Sequence, residues 1–133
     1  MDGNIKNIEI LQDCPFCQTD ENNYIIRNKY SYSILDNYPV AKGHSLIICI
    51  SHTPNYFDLT KMEKYAMIDL IDETEIYLKE KYKSTGFNVG ININKSAGQT
   101  VEHAHIHLIP RYENDIIDPT GGVRNVIPGK GKY

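Results

Sequence analysis

The sequence predicts an α+β fold, in which an antiparallel sheet of about five strands carries one main helix on one face. One segment of the chain has clear helical periodicity, and five short segments are either alternating or continuously apolar, as strands are. The chain has 133 residues, of which 41% are hydrophobic and 23% charged. It is therefore long enough for one domain with a real core, but not for two.

Three strands are expected before the helix. Residues 23–28 (NYIIRN) and residues 30–36 (YSYSILD) are rich in tyrosine and isoleucine, and the second segment alternates. Residues 45–50 (SLIICI) form a short apolar run, which favours a central strand buried on both faces. Residues 37–44 contain a proline and a glycine and should form a loop between strands.

The main helix should run from about residue 59 to about residue 83. Thr60 and Glu63 have the spacing of a capping box, and Gly86 lies just past the expected end. One stripe of residues recurs at steps of three and four and is expected to face the core: Leu59, Met62, Ala66, Leu70, Thr74 and Tyr77.

Two alternating segments after the helix, residues 87–94 and 101–109, should form a hairpin around a loop at residues 95–100. Their apolar residues would face the helix: Phe87, Val89, Ile91, Ile93, Ala104, Ile106 and Leu108. The opposite face would be a polar surface with three imidazoles and two carboxamides: His103, His105, His107, Asn88 and Asn92.

Composition and charge limit the class of protein. The net charge of −3 gives no electrostatic footprint for nucleic acid. No run approaches the roughly 18 apolar residues of a spanning helix. Residues 1–10 lack the basic segment and apolar core of a signal peptide, so we expect a cytoplasmic protein that does not enter a membrane. From about residue 115 the chain is rich in glycine and proline and should form an extended tail of a single domain, 1–133.

His103, His105 and His107 occupy every second position of one segment. A merely solvated sheet face is the simplest explanation, but it would use lysine, threonine or glutamate as readily. Two functions are compatible with the pattern. Histidine is the commonest metal ligand, and it is also a nucleophile or acid–base group near neutral pH. A three-histidine metal site for hydrolysis would need an open metal position.

Cys14 and Cys17 form a CxxC motif. In a reducing compartment this motif indicates a metal or redox site, and a thioredoxin-like site is disfavoured because no βαβ pattern follows. A tetrahedral zinc site needs two further ligands. His52 and His103 could both lie at one end of the sheet. His44 is interpreted as structural, with the alternative that it replaces His52 as a ligand; two unliganded cysteines also remain possible.

Residues 98–111, GQTVEHAHIHLIPR, resemble the signature of the histidine triad superfamily of nucleotide hydrolases and transferases, in which three histidines alternate with apolar residues. The likeness covers nearly the whole chain, because the motifs CPFC, LDNYPVAKGHSLII and NVGININKSAGQT come in the family's order. The tail, DPTGGVRNVIPGKGKY, resembles a bacterial or archaeal branch described as diadenosine polyphosphate hydrolase-like.

The resemblance implies roles for the matching residues. His105 corresponds to the nucleophile that attacks the α-phosphorus of a nucleotide. His107 corresponds to a histidine that contacts phosphate oxygens, and Gln99 to a glutamine beside the leaving group. The resemblance also implies a structural zinc ion with the ligands Cys14, Cys17, His52 and His103.

Four further residues are implied to bind the nucleotide. Asp36 corresponds to the acidic residue that holds the ribose hydroxyls, Asn92 to a polar residue at the back of the phosphate site, and Thr100 to a hydroxyl that binds phosphate. Gly98 would let the backbone come close to phosphate. The segment before His52, ICIS, departs from many relatives, which have a proline and a basic residue there.

The expected function is hydrolysis of a nucleoside 5′-phosphoryl bond through a nucleotidyl-histidine intermediate, in a homodimer. Dinucleoside polyphosphates are the first choice of substrate, and nucleoside phosphoramidate hydrolysis or nucleotidyl transfer is the alternative. A zinc-binding protein for nucleotide sensing or interaction is the alternative of another class. It would not need His105, Gln99 or Asn92, whose presence favours the enzyme.

Overall fold

The structure, a computed structural model, describes residues 10–133. Residues 1–9, part of the segment interpreted above as lacking a signal peptide, lie outside the described residues. Within 10–133 the elements are β1 (Tyr24–Arg27), β2 (Ser31–Leu35), β3 (Ser45–Cys49), α1 (Lys61–Tyr82), β4 (Gly86–Gly90) and β5 (His105–Arg111). No helix in this part of the chain is long and apolar enough to cross a membrane.

The strands form one antiparallel sheet in the order β1-β2-β3-β5-β4, and α1 packs on it. This arrangement confirms the predicted fold class. β3 lies at the centre, and all of its residues are buried, as its continuous apolar run predicted. β4 and β5 pair directly as the expected hairpin, although β4 stops at Gly90 rather than at residue 94.

The segment before β5 turns instead of extending. The His103 N–H donates to the Val101 carbonyl at 2.8 Å, and the Ala104 N–H donates to the Thr53 carbonyl at 2.8 Å. The strand therefore begins at His105 and not at residue 101. The prediction that one strand carries all three histidines is wrong, because His103 belongs to this turn.

The start of α1 is a capping box, as predicted. The Thr60 hydroxyl accepts from the Glu63 N–H at 3.1 Å, and the Glu63 carboxylate accepts from the Thr60 N–H at 2.8 Å. The helix ends at Tyr82 and is capped by Lys83, which adopts a left-handed conformation with φ of 61°. Gly86 is not part of this cap, because it already begins β4.

The core-facing stripe of α1 differs from the prediction. Met62 is 57% exposed and Tyr77 is 38% exposed, whereas Met67 and Leu78 are fully buried. Each residue rotates a helix by about 100°, so Met62 points well away from the buried Glu63 beside it. The core between α1 and the sheet contains Ile47, Cys49, Leu59, Met67, Leu70, Leu78, Ala104, Ile106 and Leu108.

The face of the sheet opposite α1 is only partly polar. A second apolar cluster covers its β2–β3 half, and Phe16, Tyr24 and Ile50 pack against it. The polar face predicted for the hairpin therefore does not extend across β2 and β3. The central strand β3 is buried on both faces, and its side chains alternate between them, so it contributes apolar residues to this face as well. The second cluster consists of Tyr32, Ile34, Leu46 and Ile48.

The chain after β5 returns along the edge of the sheet. Arg111 donates to the two carboxylate oxygens of Asp115 at 2.7 and 2.9 Å, and to the side-chain oxygen of Asn88 in β4 at 2.7 Å. A short 3₁₀ helix, Gly122–Val126, then packs beside β4. The tail expected from about residue 115 is exposed over most of its length.

The two methionines of α1 test which face is buried. Met67→Ala should destabilise the protein by about 2–5 kcal/mol, because it leaves a cavity in the core. Met62→Ala makes the same change on the same helix at an exposed position, and should cost less than about 1 kcal/mol. Urea unfolding of both variants measures the difference. Equal losses would show that the buried face is assigned incorrectly.

Candidate active site and zinc centre

The Cys14–Cys17 loop lies against His52 and His103, at the end of the sheet where β3 stops and β5 starts. Cys14 Sγ is 3.4 Å from His103 Nδ1. Cys17 Sγ is 3.4 Å from His52 Nδ1 and 3.6 Å from His103 Nδ1. All four ligand atoms lie within 4.8 Å of one another.

These distances fit a tetrahedral zinc ion. Zinc binds cysteine sulfur at about 2.3 Å and histidine nitrogen at about 2.0–2.1 Å, so sulfur and nitrogen ligands of a tetrahedron lie about 3.5 Å apart. Two thiols and two imidazoles also form the closed ligand set of structural zinc sites. The residues present therefore fit the ion that the sequence predicted.

Burial and a hydrogen bond to the backbone keep His103 neutral and orient its ring toward the cysteines. Its ring is fully buried, and its Nε2–H donates to the Cys49 carbonyl at 2.6 Å. Burial lowers the pKa of His103 to about 4, so the ring is neutral at neutral pH. The Nδ1 lone pair then faces Cys14 and Cys17. A carbonyl acceptor for the second ring nitrogen is the usual arrangement around a histidine that binds a metal.

His44 does not belong to the zinc centre. Its Nε2 lies 2.9 Å from His107 Nδ1 and 3.4 Å from Asp36 Oδ2, away from the Cys14–Cys17 loop. The alternative that His44 replaces His52 as a ligand is therefore wrong. A metal site formed by His103, His105 and His107 does not fit either. Nδ1 of His103 faces the cysteines, and its Nε2 is bonded to the Cys49 carbonyl.

His105 is held with a free lone pair on the face opposite α1. Its Nδ1 is 2.8 Å from the His103 carbonyl. A carbonyl can only accept a hydrogen bond, so Nδ1 carries the proton and Nε2 carries the lone pair. Burial lowers the pKa of His105 below its ordinary value of 6.5. The Phe16 ring packs edge-on at 5.0 Å and shields the imidazole. This residue is therefore a neutral imidazole able to act as a nucleophile.

His107 is the next residue on the same face, with its ring centroid 5.2 Å from that of His105. Burial lowers the pKa of His107 to about 4, and the neighbouring His105 and His44 add to the effect. His44, His107 and Asn92 line a cavity of about 540 Å³, whose far wall includes the tail helix Gly122–Val126.

Sequence reasoning missed the contact between His44 and His107. The sequence contained a signal for this contact. Asp36 directly follows β2 and His44 directly precedes β3, so both residues lie at the base of the loop that joins the two strands. The Asp36 N–H donates to the His44 carbonyl at 2.9 Å. In the same loop, Asp36 Oδ1 accepts from the Tyr38 N–H at 2.9 Å, and the Asp36 side chain is 15% exposed. Its carboxylate thus faces His44 and the loop backbone.

The predicted residues Gly98, Gln99 and Thr100 line another cavity, of about 690 Å³, together with Cys14 and His52. The structure thus brings Asn92 and His107 to one cavity and these three residues to a different one. Gly98 has a φ of 93°, which glycine adopts without strain.

The Gln99 amide already has hydrogen-bond partners in its own loop and in the segment after His52. Its nitrogen donates to the carbonyls of Pro54 at 2.8 Å and Val101 at 3.0 Å. Its oxygen accepts from the Asn94 N–H at 2.8 Å. In this conformation Gln99 holds the loop against the segment that follows His52. For the amide nitrogen to donate to a leaving group, one of its two bonds must break.

Comparison with known proteins agrees with this fold. The model of the HIT domain matches residues 18–114. The chain therefore belongs to the histidine triad (HIT) family. Among its relatives is a 16.1 kDa HIT-like protein of Mycoplasma pneumoniae, 32% identical over 78% of this chain and 75% of that protein.

Two relatives are longer proteins with named activities. The AP-4-A phosphorylase of Mycobacterium tuberculosis is 31% identical over 87% of this chain and 60% of its own length. The Bis(5'-adenosyl)-triphosphatase of Saccharomyces cerevisiae is 35% identical over 65% of this chain and 43% of its own length.

Solved structures of the family share the fold. A HIT family protein of Bacillus anthracis matches with a TM-score of 0.71 and 31% identity, over 76% of this chain and 74% of that one. A zinc-bound histidine triad protein of Mycobacterium smegmatis matches with a TM-score of 0.66 and 30% identity, over 71% and 69%. The diadenosine triphosphate hydrolase of Plasmodium falciparum matches with a TM-score of 0.65 and 37% identity, over 75% and 68%.

The chain offers a matched test of the zinc centre. We expect about one zinc ion per chain in protein purified without added metal. Changing Cys14 and Cys17 to serine should remove it, because serine lacks the thiolate ligand. Cys49→Ala is the control, since this third cysteine lies in the core and should leave the metal content unchanged. Elemental analysis of the parent, the double variant and Cys49→Ala measures the zinc content of each protein. Metal retained in the double variant would contradict the assignment.

Proposed function

We propose that this protein hydrolyses dinucleoside polyphosphates at an α-phosphate, through a nucleotidyl intermediate on His105. The observation that carries the proposal is the hydrogen bond from His105 Nδ1 to the His103 carbonyl, which leaves the Nε2 lone pair free. A neutral imidazole approaches a phosphorus surrounded by negative oxygens without the repulsion that a carboxylate would meet.

The reaction has two steps. In the first, His105 Nε2 bonds to the α-phosphorus, the bond to the bridging oxygen breaks, and the leaving nucleotide takes the electron pair. The positively charged ring keeps its proton on Nδ1, which donates it in a hydrogen bond to the His103 carbonyl. In the second, a water oxygen attacks the phosphorus, the phosphorus–nitrogen bond breaks, and its electrons return to His105. The proton of the water passes to solvent. His107 would donate to phosphate oxygens as negative charge develops.

The remaining predicted residues would bind and position the nucleotide. Asp36 would accept bonds from the ribose hydroxyls, and Asn92 would contact the phosphates from the cavity that it shares with His107. Gly98 and Thr100 would donate to phosphate, and Gln99 would contact the leaving group if its loop rearranged. The relatives named for AP-4-A, Bis(5'-adenosyl)-triphosphate and diadenosine triphosphate chemistry support this choice of substrate.

Zinc held by Cys14, Cys17, His52 and His103 would supply structure and not chemistry, since four protein ligands leave no open position. By fixing His103, these ligands also fix the carbonyl that His105 bonds to. We further propose a cytoplasmic homodimer; the sheet's edge strands β1 and β4 offer backbone groups for pairing between subunits.

His105→Ala should abolish hydrolysis, because the covalent step has no other nucleophile. His107→Ala should lower kcat by about 10²–10³-fold, the scale for losing one donor to a transition state. Chromatography of diadenosine polyphosphate reactions measures both rates. Repeating them with inorganic phosphate distinguishes water from phosphate as the second acceptor.

The intermediate itself provides the decisive control. Rapid quenching without acid, followed by mass spectrometry, should locate a nucleotidyl group on His105. Metal content and circular dichroism of His105→Ala should match the parent, since only the reacting side chain is removed. An adduct on His107, or near-parent turnover by His105→Ala, would refute the mechanism.

The pH dependence should follow the buried histidines. A nucleophile must be unprotonated, and burial lowers the pKa of His105 below its ordinary 6.5. We therefore expect kcat/KM to decline as the pH falls, with a midpoint below 6.5. Zinc content measured at each pH separates this decline from loss of the metal. A midpoint at 6.5 or above would show that the nucleophile is not the buried imidazole.

A further inference from the structure

His44 sits between a backbone donor and His107. The Val40 N–H points at His44 Nδ1 at 3.1 Å. An N–H can only donate, so Nδ1 must be the acceptor, and a neutral His44 carries its proton on Nε2. The ring is 3% exposed, and burial lowers its pKa, which keeps it neutral. Its tautomer is therefore fixed by the loop backbone.

The same proton determines the state of His107. His44 Nε2 lies 2.9 Å from His107 Nδ1, so the Nε2–H of His44 donates and His107 Nδ1 accepts. A neutral His107 then carries its own proton on Nε2. The opposite tautomer of His107 would bring two N–H groups face to face in a buried site, where an unmade hydrogen bond costs about 1–3 kcal/mol.

Asp36 supports this order. Its Oδ2 lies 3.4 Å from His44 Nε2, and a carboxylate beside that nitrogen favours a proton on it over a lone pair. Val40, Asp36, His44 and His107 therefore form a chain that starts at a backbone N–H and ends at the His107 Nε2–H. His105 has the opposite arrangement, with its proton on Nδ1.

A metal ion could also join these groups, because one ligand atom each from Asp36, His44 and His107 lies within 4.8 Å of the others. Coordination through His44 Nε2 would require the proton to move to Nδ1. That nitrogen faces the Val40 N–H, and two donors would then oppose each other. A metal-binding histidine ordinarily donates its second N–H to an acceptor. A proton, and not a metal, fits this position.

We infer that His44 is a positioning residue, which fixes the proton of His107 on Nε2 so that this histidine donates while His105 presents a lone pair. The use of that donor on a phosphate oxygen rests on the proposed function, whereas the tautomers do not. His44 contacts no reacting atom in this role and acts through His107 alone.

Imidazole ¹⁵N NMR at neutral pH tests the inference directly in the full-length protein. In the parent, His107 should be protonated on Nε2 and His105 on Nδ1. His44→Leu removes the donor and should give His107 a mixture of tautomers, with His105 unchanged as an internal reference. His44→Gln keeps an N–H near the position of Nε2 and should restore the parent spectrum of His107 even if His44→Leu folds poorly.

Kinetics on diadenosine polyphosphates supply the second readout. His44→Leu should lower kcat by at least about tenfold with KM changed less than about threefold, and His44→Gln should recover most of kcat. A parent His107 protonated on Nδ1, or a tautomer indifferent to His44→Leu, would overturn the inference. A parent protein that cleaves no dinucleoside polyphosphate would instead refute the proposed function, and the spectra would still decide the tautomers.

Discussion

The antiparallel pairing of β5 with the buried central strand β3 is the constraint on which the rest of the site depends. It places His105 opposite Ile48 and His107 opposite Leu46, so both histidines border an apolar cluster instead of open solvent. It also brings the Cys49 carbonyl to the turn before β5, where His103 donates to it. Burial of the imidazoles follows from this pairing, and their neutrality follows from burial.

The tautomer of a neutral imidazole is fixed by its hydrogen-bond partner, and each of the three triad histidines has a different partner. The Cys49 carbonyl of β3 leaves His103 with a lone pair toward the cysteines, and the His103 carbonyl leaves His105 with a lone pair on Nε2. His44 donates to His107 Nδ1, so His107 carries its own proton on Nε2. Three residues of one type thus present two differently directed lone pairs and one N–H donor, because low polarity strengthens each buried hydrogen bond.

The four candidate zinc ligands and the helix α1 are connected through the segment that precedes His52. Ser51, next to His52, is buried and donates to the Glu63 carboxylate, which also caps α1. Through this contact the capped start of α1 holds the segment that carries His52. The Gln99 amide holds the other side of that segment through the Pro54 carbonyl.

The sequence by itself determined the five strands and the main helix, the helix cap and the core-facing residues of β5, because these depend on neighbours within a few residues. It also predicted the zinc ligands that the structure brings together. Only the tertiary structure decided that His103 leaves the strand, that Met62 faces solvent, and that His44 meets His107. Periodicity reports local geometry, whereas burial and hydrogen-bond partners depend on segments that are distant in the chain, 63 residues apart for these two histidines.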